Sequence, residues 1–272
     1  MNGTGSHPAS ATTKSFERLN FAEYEALLSD LDGVITKTAR LHAAAWKRLF
    51  DDYLERVTAK TGRTFKPFDL EEDYRVHLDG KPRQDGVRDF LNSRGLSLPL
   101  GSPGDHADRE TFYGLGNQKD RYFDSALEKT GVDVYPGTVE FLRLAKRSGL
   151  KMAVVSSSHH CAQILEAVGL TALFDVRVDG HEIDQLQLPG KPAPDGFLEA
   201  ARRLVVPPRR AIVIEDALAG VEAGHAGAFG LVIGVNRRNQ ADALRDKGAH
   251  IVVEDLAELL PGRTEPSSSP PR

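Results

Sequence analysis

Asp30 and Asp32 stand two residues apart, just beyond a short apolar run at 24–28 and immediately before Gly33. Two carboxylates in a strand-exit turn can point toward one site. Ser156, Ser157 and Ser158 follow a second apolar run at 152–155, and hydroxyls and backbone N–H groups entering a predicted helix suit a phosphate oxyanion. Lys191 lies in Gly190-Lys191-Pro192-Ala193-Pro194-Asp195, where two prolines hold the backbone and Pro194 suits a helix start. Its ammonium would be aimed at a fixed point, able to neutralise phosphate and carboxylate charge. Glu215 and Asp216 end a third run at 211–214, and consecutive carboxylates there fit a hard cation with oxygen ligands, magnesium first.

Each feature has an ordinary alternative. Paired acids occur in turns, a serine can simply cap a helix, a lysine is normally solvated, and Glu215 and Asp216 could be a surface acid and an N-cap. What the ordinary readings leave unexplained is the coincidence of four such features, each expected to follow a strand, along one chain.

The elements that must position these residues change character along the sequence. From about 38 to 130 the apolar spacing is helical, with Ala43, Trp46, Leu49 and Phe50 on one stripe and a Pro/Gly-rich connector near 98–105. From 133 onward helices alternate with short apolar segments at 152–155, 174–178, 211–214, 231–235 and 251–253. Such segments separated by helices predict a parallel sheet covered on both faces. The expected fold is α/β: a doubly wound, Rossmann-like parallel-sheet core with an inserted all-helical cap. The core is assigned to 16–40 and 131–262 and the cap to 41–130. Residues 1–15 and 263–272 are expected to be a disordered extension and tail, being rich in Gly, Ser, Thr and Pro. Ligands of such sheets bind beyond the carboxyl ends of the strands, where the four features fall.

Bulk properties narrow the functions. The 272 residues carry a formal net charge of -4, which gives no electrostatic case for nucleic acid or an anionic membrane. No apolar run reaches the ~20 residues of a membrane span. A single cysteine, Cys161, precludes an intrachain disulfide, and no apolar leader opens the chain, so a cytoplasmic location is expected. His159, His160 and Cys161 adjoin one another, but adjacent residues rarely converge on one ion and no second cluster completes a zinc site.

Together the four motifs resemble those of the haloacid dehalogenase-like phosphotransferase superfamily, over about 24–260. Within it, Asp30 to Thr36 followed by Thr38, His42 and Trp46 is similar to the opening segment of the β-phosphoglucomutase family. The segment Leu78-Asp79-Gly80-Lys81-Pro82-Arg83 resembles the cap loop of that family, and the motifs around Val134 and Lys191 match it too.

The resemblance implies that Asp30 is the nucleophile, forming an aspartyl phosphate, and that Asp32 is the general acid/base. Ser156 and Lys191 would hold the transferring phosphoryl group. Asp30, the carbonyl of Asp32, Asp216 and Glu215 would hold Mg2+, Glu215 directly or through water. Thr36, His42, Trp46, Gly80, Arg83, Ser157, Ser158 and His160 would contact or organise the sugar phosphate, with Arg83 as the distal-phosphate clamp and His42 as a partner of Asp32. The implied reaction interconverts β-D-glucose 1-phosphate and glucose 6-phosphate through a glucose 1,6-bisphosphate intermediate, in a monomer activated by free glucose 1,6-bisphosphate. A sugar-phosphate phosphatase using the same residues is the alternative, and a catalytically quiet sugar-phosphate-binding protein a third reading. Four departures stand out: Ser29 before the nucleophile in place of an aromatic residue, Lys37 where an acid is common, Asp79 where a lysine is expected, and His159-His160 in place of a Lys-Asn pair. Lys119 could replace the cap cation lost at Asp79.

Overall fold

The computed structural model describes residues 19–261; the segments expected to be disordered, 1–15 and 263–272, lie outside the described residues. Six strands, β1 (Ala26–Ser29), β2 (Lys151–Val155), β3 (Val176–Val178), β4 (Ala211–Glu215), β5 (Leu231–Val235) and β6 (Ile251–Val253), form one sheet in the order β3-β2-β1-β4-β5-β6. All neighbours are parallel. The strand order reverses at β1, which places the carboxyl ends of β1, β2 and β4 around the crevice where such sheets bind ligands.

Burial explains the apolar runs. Successive strand residues face opposite sides, so Leu27, Met152, Val154, Ile212 and Ile214 enter one apolar cluster. Leu28, Ala153, Val155 and Val213 enter the other. A strand covered on both faces has no solvent side to mark with polar residues, so β1 is buried at all four positions. The covering helices are α4 (Pro136–Arg147), α5 (Cys161–Ala167), α6 (Gly180–Leu186), α7 (Asp195–Leu204), α8 (Leu218–Ala226) and α9 (Ala241–Asp246).

Between β1 and α4 the chain builds the helical cap. Its elements are α1 (Ala39–Thr61), a π-helical turn (Tyr74–Leu78), α2 (Arg83–Ser93) and α3 (Phe112–Thr130). They enclose a third apolar cluster of their own, containing Leu49, Phe50, Phe68 and Phe90, with the Phe50 and Phe90 rings 4.0 Å apart. Helix α1 ends at Gly62, whose φ of 72° is the left-handed cap conformation that glycine adopts without strain. Helix α3 starts at Thr111, whose hydroxyl accepts from the Gly114 N–H at 2.9 Å.

Three local expectations are corrected. The strand expected at 174–178 is limited to Val176–Val178. Lys191 does not follow a strand directly: α6 intervenes, capped by the Asp179 side chain, and buries only Gly180 and Ile183. So little apolar signal leaves no helical stripe to read. The three serines do not open a helix either, because α5 begins at Cys161 and has only seven residues. They form the connection between β2 and α5.

Candidate active site

The sheet ladder itself sets the first acids in place. Asp30 N–H donates to the Ile214 carbonyl at 2.9 Å, extending the β1–β4 pairing one residue beyond the strand. Ser156 N–H does the same toward Val178 at 3.0 Å. Asp30, Ser156 and Glu215 are therefore fixed to the ends of three adjacent strands, and Asp216 follows at once.

Lys191 joins two of these acids. Its Nζ donates to Asp30 Oδ1 at 2.6 Å and also to Glu215 Oε1, with all three side chains buried. Glu215 has little freedom left, because its Oε2 accepts from the N–H groups of Asp216 and Ala217 at 3.0 and 3.1 Å. Desolvation opposes the lysine's charge, but Asp30 and Glu215 outweigh it and hold the ammonium above its ordinary range. Burial pushes Asp30 upward; Lys191 pulls it back, and Glu215 and Asp32 add to the rise.

Asp216 is buried, and desolvation together with Asp79, Glu215 and Asp30 raises its carboxyl well above the usual range. One oxygen each from Asp30, Glu215 and Asp216 lie within 4.8 Å of one another. Gly33 makes the approach possible: a Cβ there would lie 2.1 Å from Asp216 Oδ2, and its φ of 95° is itself unfavourable for other residues. Three buried carboxylates, two of them sharing one lysine, have the donor chemistry and the excess negative charge that fit a hard divalent cation.

Asp32 is held on both oxygens. Thr38 Oγ1 donates to Oδ1, and Ser156 Oγ donates to Oδ2 at 3.2 Å. His42 Nε2 lies 3.2 Å from Oδ1, at ion-pair distance but off the line of a hydrogen bond. Burial would raise the Asp32 carboxyl, yet the His42 interaction and the Thr38 hydroxyl bring it below the usual range. His42 is itself lowered, first by burial and then by Lys119, which reaches Nδ1 at 2.8 Å.

A cavity of about 70 Å³ brings together Asp30, Asp32, Ser156, Glu215 and Asp216 from the core with His42, Trp46, Gly80, Arg83 and Lys119 from the cap. Ser157 and Ser158 also line it. The cap loop touches the core directly, since Ser157 Oγ donates to the Gly80 carbonyl at 2.8 Å. Lys191 stands behind Asp30 rather than on the cavity wall. Two of the residues expected to meet substrate are elsewhere. Thr36 is fully buried, its hydroxyl bonded to the Leu31 carbonyl and to Thr38, so it supports the loop that carries Asp32. His160 faces a neighbouring cleft, with Nε2 2.9 Å from Asp124 Oδ1. Arg83 lines both spaces and is paired with Asp120. Thr38 was within reach of the sequence as part of the opening motif, but nothing in its type or spacing distinguishes it from Thr36.

This arrangement can be set beside known proteins. A family model described as haloacid dehalogenase-like hydrolase matches residues 24–227. A protein of Mycobacterium bovis named Beta-phosphoglucomutase is 49% identical over 238 residues, covering 86% of this chain and 91% of that one. The chain belongs to the haloacid dehalogenase-like superfamily, in its β-phosphoglucomutase family. A solved structure of β-phosphoglucomutase from Clostridium difficile superposes with a TM-score of 0.67 at 26% identity, covering 87% of this chain and 93% of that one. The family match also reaches a Mycobacterium tuberculosis protein named as an uncharacterized glycosyl hydrolase, 41% identical over 239 residues; the match covers 88% of this chain and 18% of that protein. Family membership thus agrees with the sheet order, the cap and the convergence of acids at the strand ends.

Proposed function

We propose that the chain interconverts β-D-glucose 1-phosphate and glucose 6-phosphate through an aspartyl phosphate on Asp30 and a glucose 1,6-bisphosphate intermediate. The observation that carries this reading is the single cavity in which Asp30 and Ser156 from the core face Arg83 and Lys119 from the cap. A mutase must hold one phosphate at its nucleophile and the other at a distance, and cations on the cap supply the second position. The near half-identity to a β-phosphoglucomutase over most of both chains supports the same reading.

In the first half-reaction an Asp30 carboxylate oxygen attacks phosphorus, and the bond from phosphorus to the departing sugar oxygen breaks. Asp32 gives that oxygen the proton it carries over from the sugar hydroxyl deprotonated in the other half-reaction. In the second half-reaction Asp32 takes the proton of the incoming sugar hydroxyl, whose oxygen attacks phosphorus and releases Asp30. Ser156 orients both Asp32 and the phosphoryl group, and Lys191 offsets the charge on Asp30. Mg2+ held by Asp30, Asp216, the Asp32 carbonyl and Glu215 would supply charge neutralisation between carboxylate and phosphate. Glu215, which already holds Lys191 and two N–H groups, would contribute to that site directly or through water.

Arg83 supplies the distal clamp by exchanging its Asp120 partner for phosphate, a planar match that guanidinium makes with two hydrogen bonds. Activation by free glucose 1,6-bisphosphate, action as a monomer and a cytoplasmic setting belong to the same reading. Among the described residues no helix is long and apolar enough to cross a membrane. The deciding assay follows glucose 6-phosphate and free phosphate together from β-glucose 1-phosphate, with Mg2+ and a trace of glucose 1,6-bisphosphate. Isomerisation without matching phosphate release, lost in Asp30→Asn, supports the mutase; phosphate release alone moves the function to a phosphatase.

A further inference from the structure

Asp79 is the cap-loop residue that departs in charge from the family pattern, and the structure gives it a partner. Its carboxylate is paired with Arg238, which stands beyond β5 on the core. The Arg238 guanidinium also lies 4.8 Å from the centre of the Tyr74 ring, so it grips both ends of the π-helical turn that leads into the cap loop. Both ends of that turn are tied together, because Asp79 N–H donates to the Tyr74 carbonyl at 2.9 Å. The next residue, Gly80, packs so closely on the core that a Cβ would lie 3.1 Å from that of Ala217.

We propose that Asp79 and Arg238 form a clasp that holds the cap loop down on the core and thereby positions Gly80 and Arg83 over the catalytic cavity. The charge pattern makes the arginine necessary. Asp79 enters a region that already contains Glu215 and Asp216, and a third carboxylate approaching on the cap would be repelled. Arg238 reverses the sign of that encounter. It acts through Asp79 and the loop and is a positioning residue. A cap that opens when this contact is lost admits water to Asp30; that consequence for products rests on the mutase reading, whereas the clasp itself rests on the contacts.

Trp46 is the sole tryptophan, is buried in the cap and lines the cavity, so its fluorescence reports closure. The test compares Arg238→Met, Asp79→Asn, Arg238→Lys and the exchanged pair Asp79→Arg/Arg238→Asp with the parent chain and with Arg202→Met, an exposed control. Acrylamide quenching of Trp46 and amide exchange over residues 79–84 are measured with Mg2+, after circular dichroism confirms folding. Coupling of a contacting pair spans roughly 2- to 100-fold in an equilibrium constant, so exchange in Arg238→Met should quicken within that range, with easier quenching. Arg238→Lys or the exchanged pair should recover part of the protection. On β-glucose 1-phosphate, the ratio of phosphate to glucose 6-phosphate should rise in Arg238→Met. Unchanged quenching and exchange in both folded Arg238→Met and Asp79→Asn would overturn the clasp. A parent chain that yields phosphate alone would overturn the mutase reading, leaving the clasp to be judged by quenching and exchange.

Discussion

The Lys119 ammonium lies 2.8 Å from His42 Nδ1, on the opposite edge of the imidazole from Asp32. An ammonium can only donate, so Nδ1 accepts and the ring proton of the neutral imidazole is placed on Nε2, facing the Asp32 carboxylate. Lys119 and His42 are both on the cap, and Asp32 is on the core. In the proposed reaction the cap thereby sets the Nε2 proton of His42 on the side of Asp32. Lys119→Met should lower the isomerisation rate by about 10²-fold, the lower end of general acid/base contributions. Mg2+ affinity, measured by titration calorimetry, should remain that of the parent.

Arg83→Ala should divide the two activities of one nucleophile. Isomerisation needs the distal phosphate held; hydrolysis of a small aryl phosphate does not. The expected loss is about 10²-fold in isomerisation, the scale of a misplaced substrate, with aryl phosphate hydrolysis little changed. Equal losses in the two assays would remove Arg83 from the clamp.

Gly33→Ala should damage cation binding specifically. The added methyl meets the Asp216 carboxylate, and the left-handed φ adds backbone strain on the order of 1–3 kcal/mol. In the parent chain, Mg2+ at a hundred times its Kd should add about 2.7 kcal/mol of stability over the chelated protein. Thermal melts with Mg2+ and with chelator should show that gap shrinking or vanishing in Gly33→Ala.

His160 predicts an acid limit. Burial lowers its imidazole to about 3 from an ordinary 6.5, against the pull of Asp120. An unfolded chain therefore binds this proton at a higher pH than the folded one does. The stabilising contribution is complete above about 6.5 and is lost progressively as pH falls toward 3. Melting temperatures between pH 7 and 4 should fall less steeply in His160→Gln than in the parent chain.

Much of this was legible because strand ends carry chemistry in a doubly wound sheet. Asp30, Ser156, Glu215 and Asp216 follow or end short apolar runs, so their convergence could be read from order alone. Lys191 was found by its motif, although the sequence around it misplaces it: α6 has too few buried residues to show a helical stripe. Thr36 and Thr38 illustrate another limit. They are two residues apart and chemically alike, and only the loop geometry gives Thr38 to Asp32 and leaves Thr36 bonded beneath it. His160 was read as a substrate contact from the family resemblance, in which the His159-His160 position helps hold the distal phosphate; its side chain faces Asp124 in the cap. Arg238 carried no signal at all. Its meaning depends on Asp79, 159 positions away, and a lone arginine in a loop has no pattern that names a partner.

The cavity of about 70 Å³ under the lowered cap is far below the ~300–1,000 Å³ usual for ligand pockets. A hexose carrying two phosphates cannot tumble in that space, yet the proposed reaction requires its two ends to change places between half-reactions. Each catalytic cycle must then contain two closings separated by an open interval. During that interval the bisphosphate is shared with the surrounding solution, so a labelled pool of it would mix into product. On the mutase reading, a chamber this small would make the enzyme distributive rather than processive.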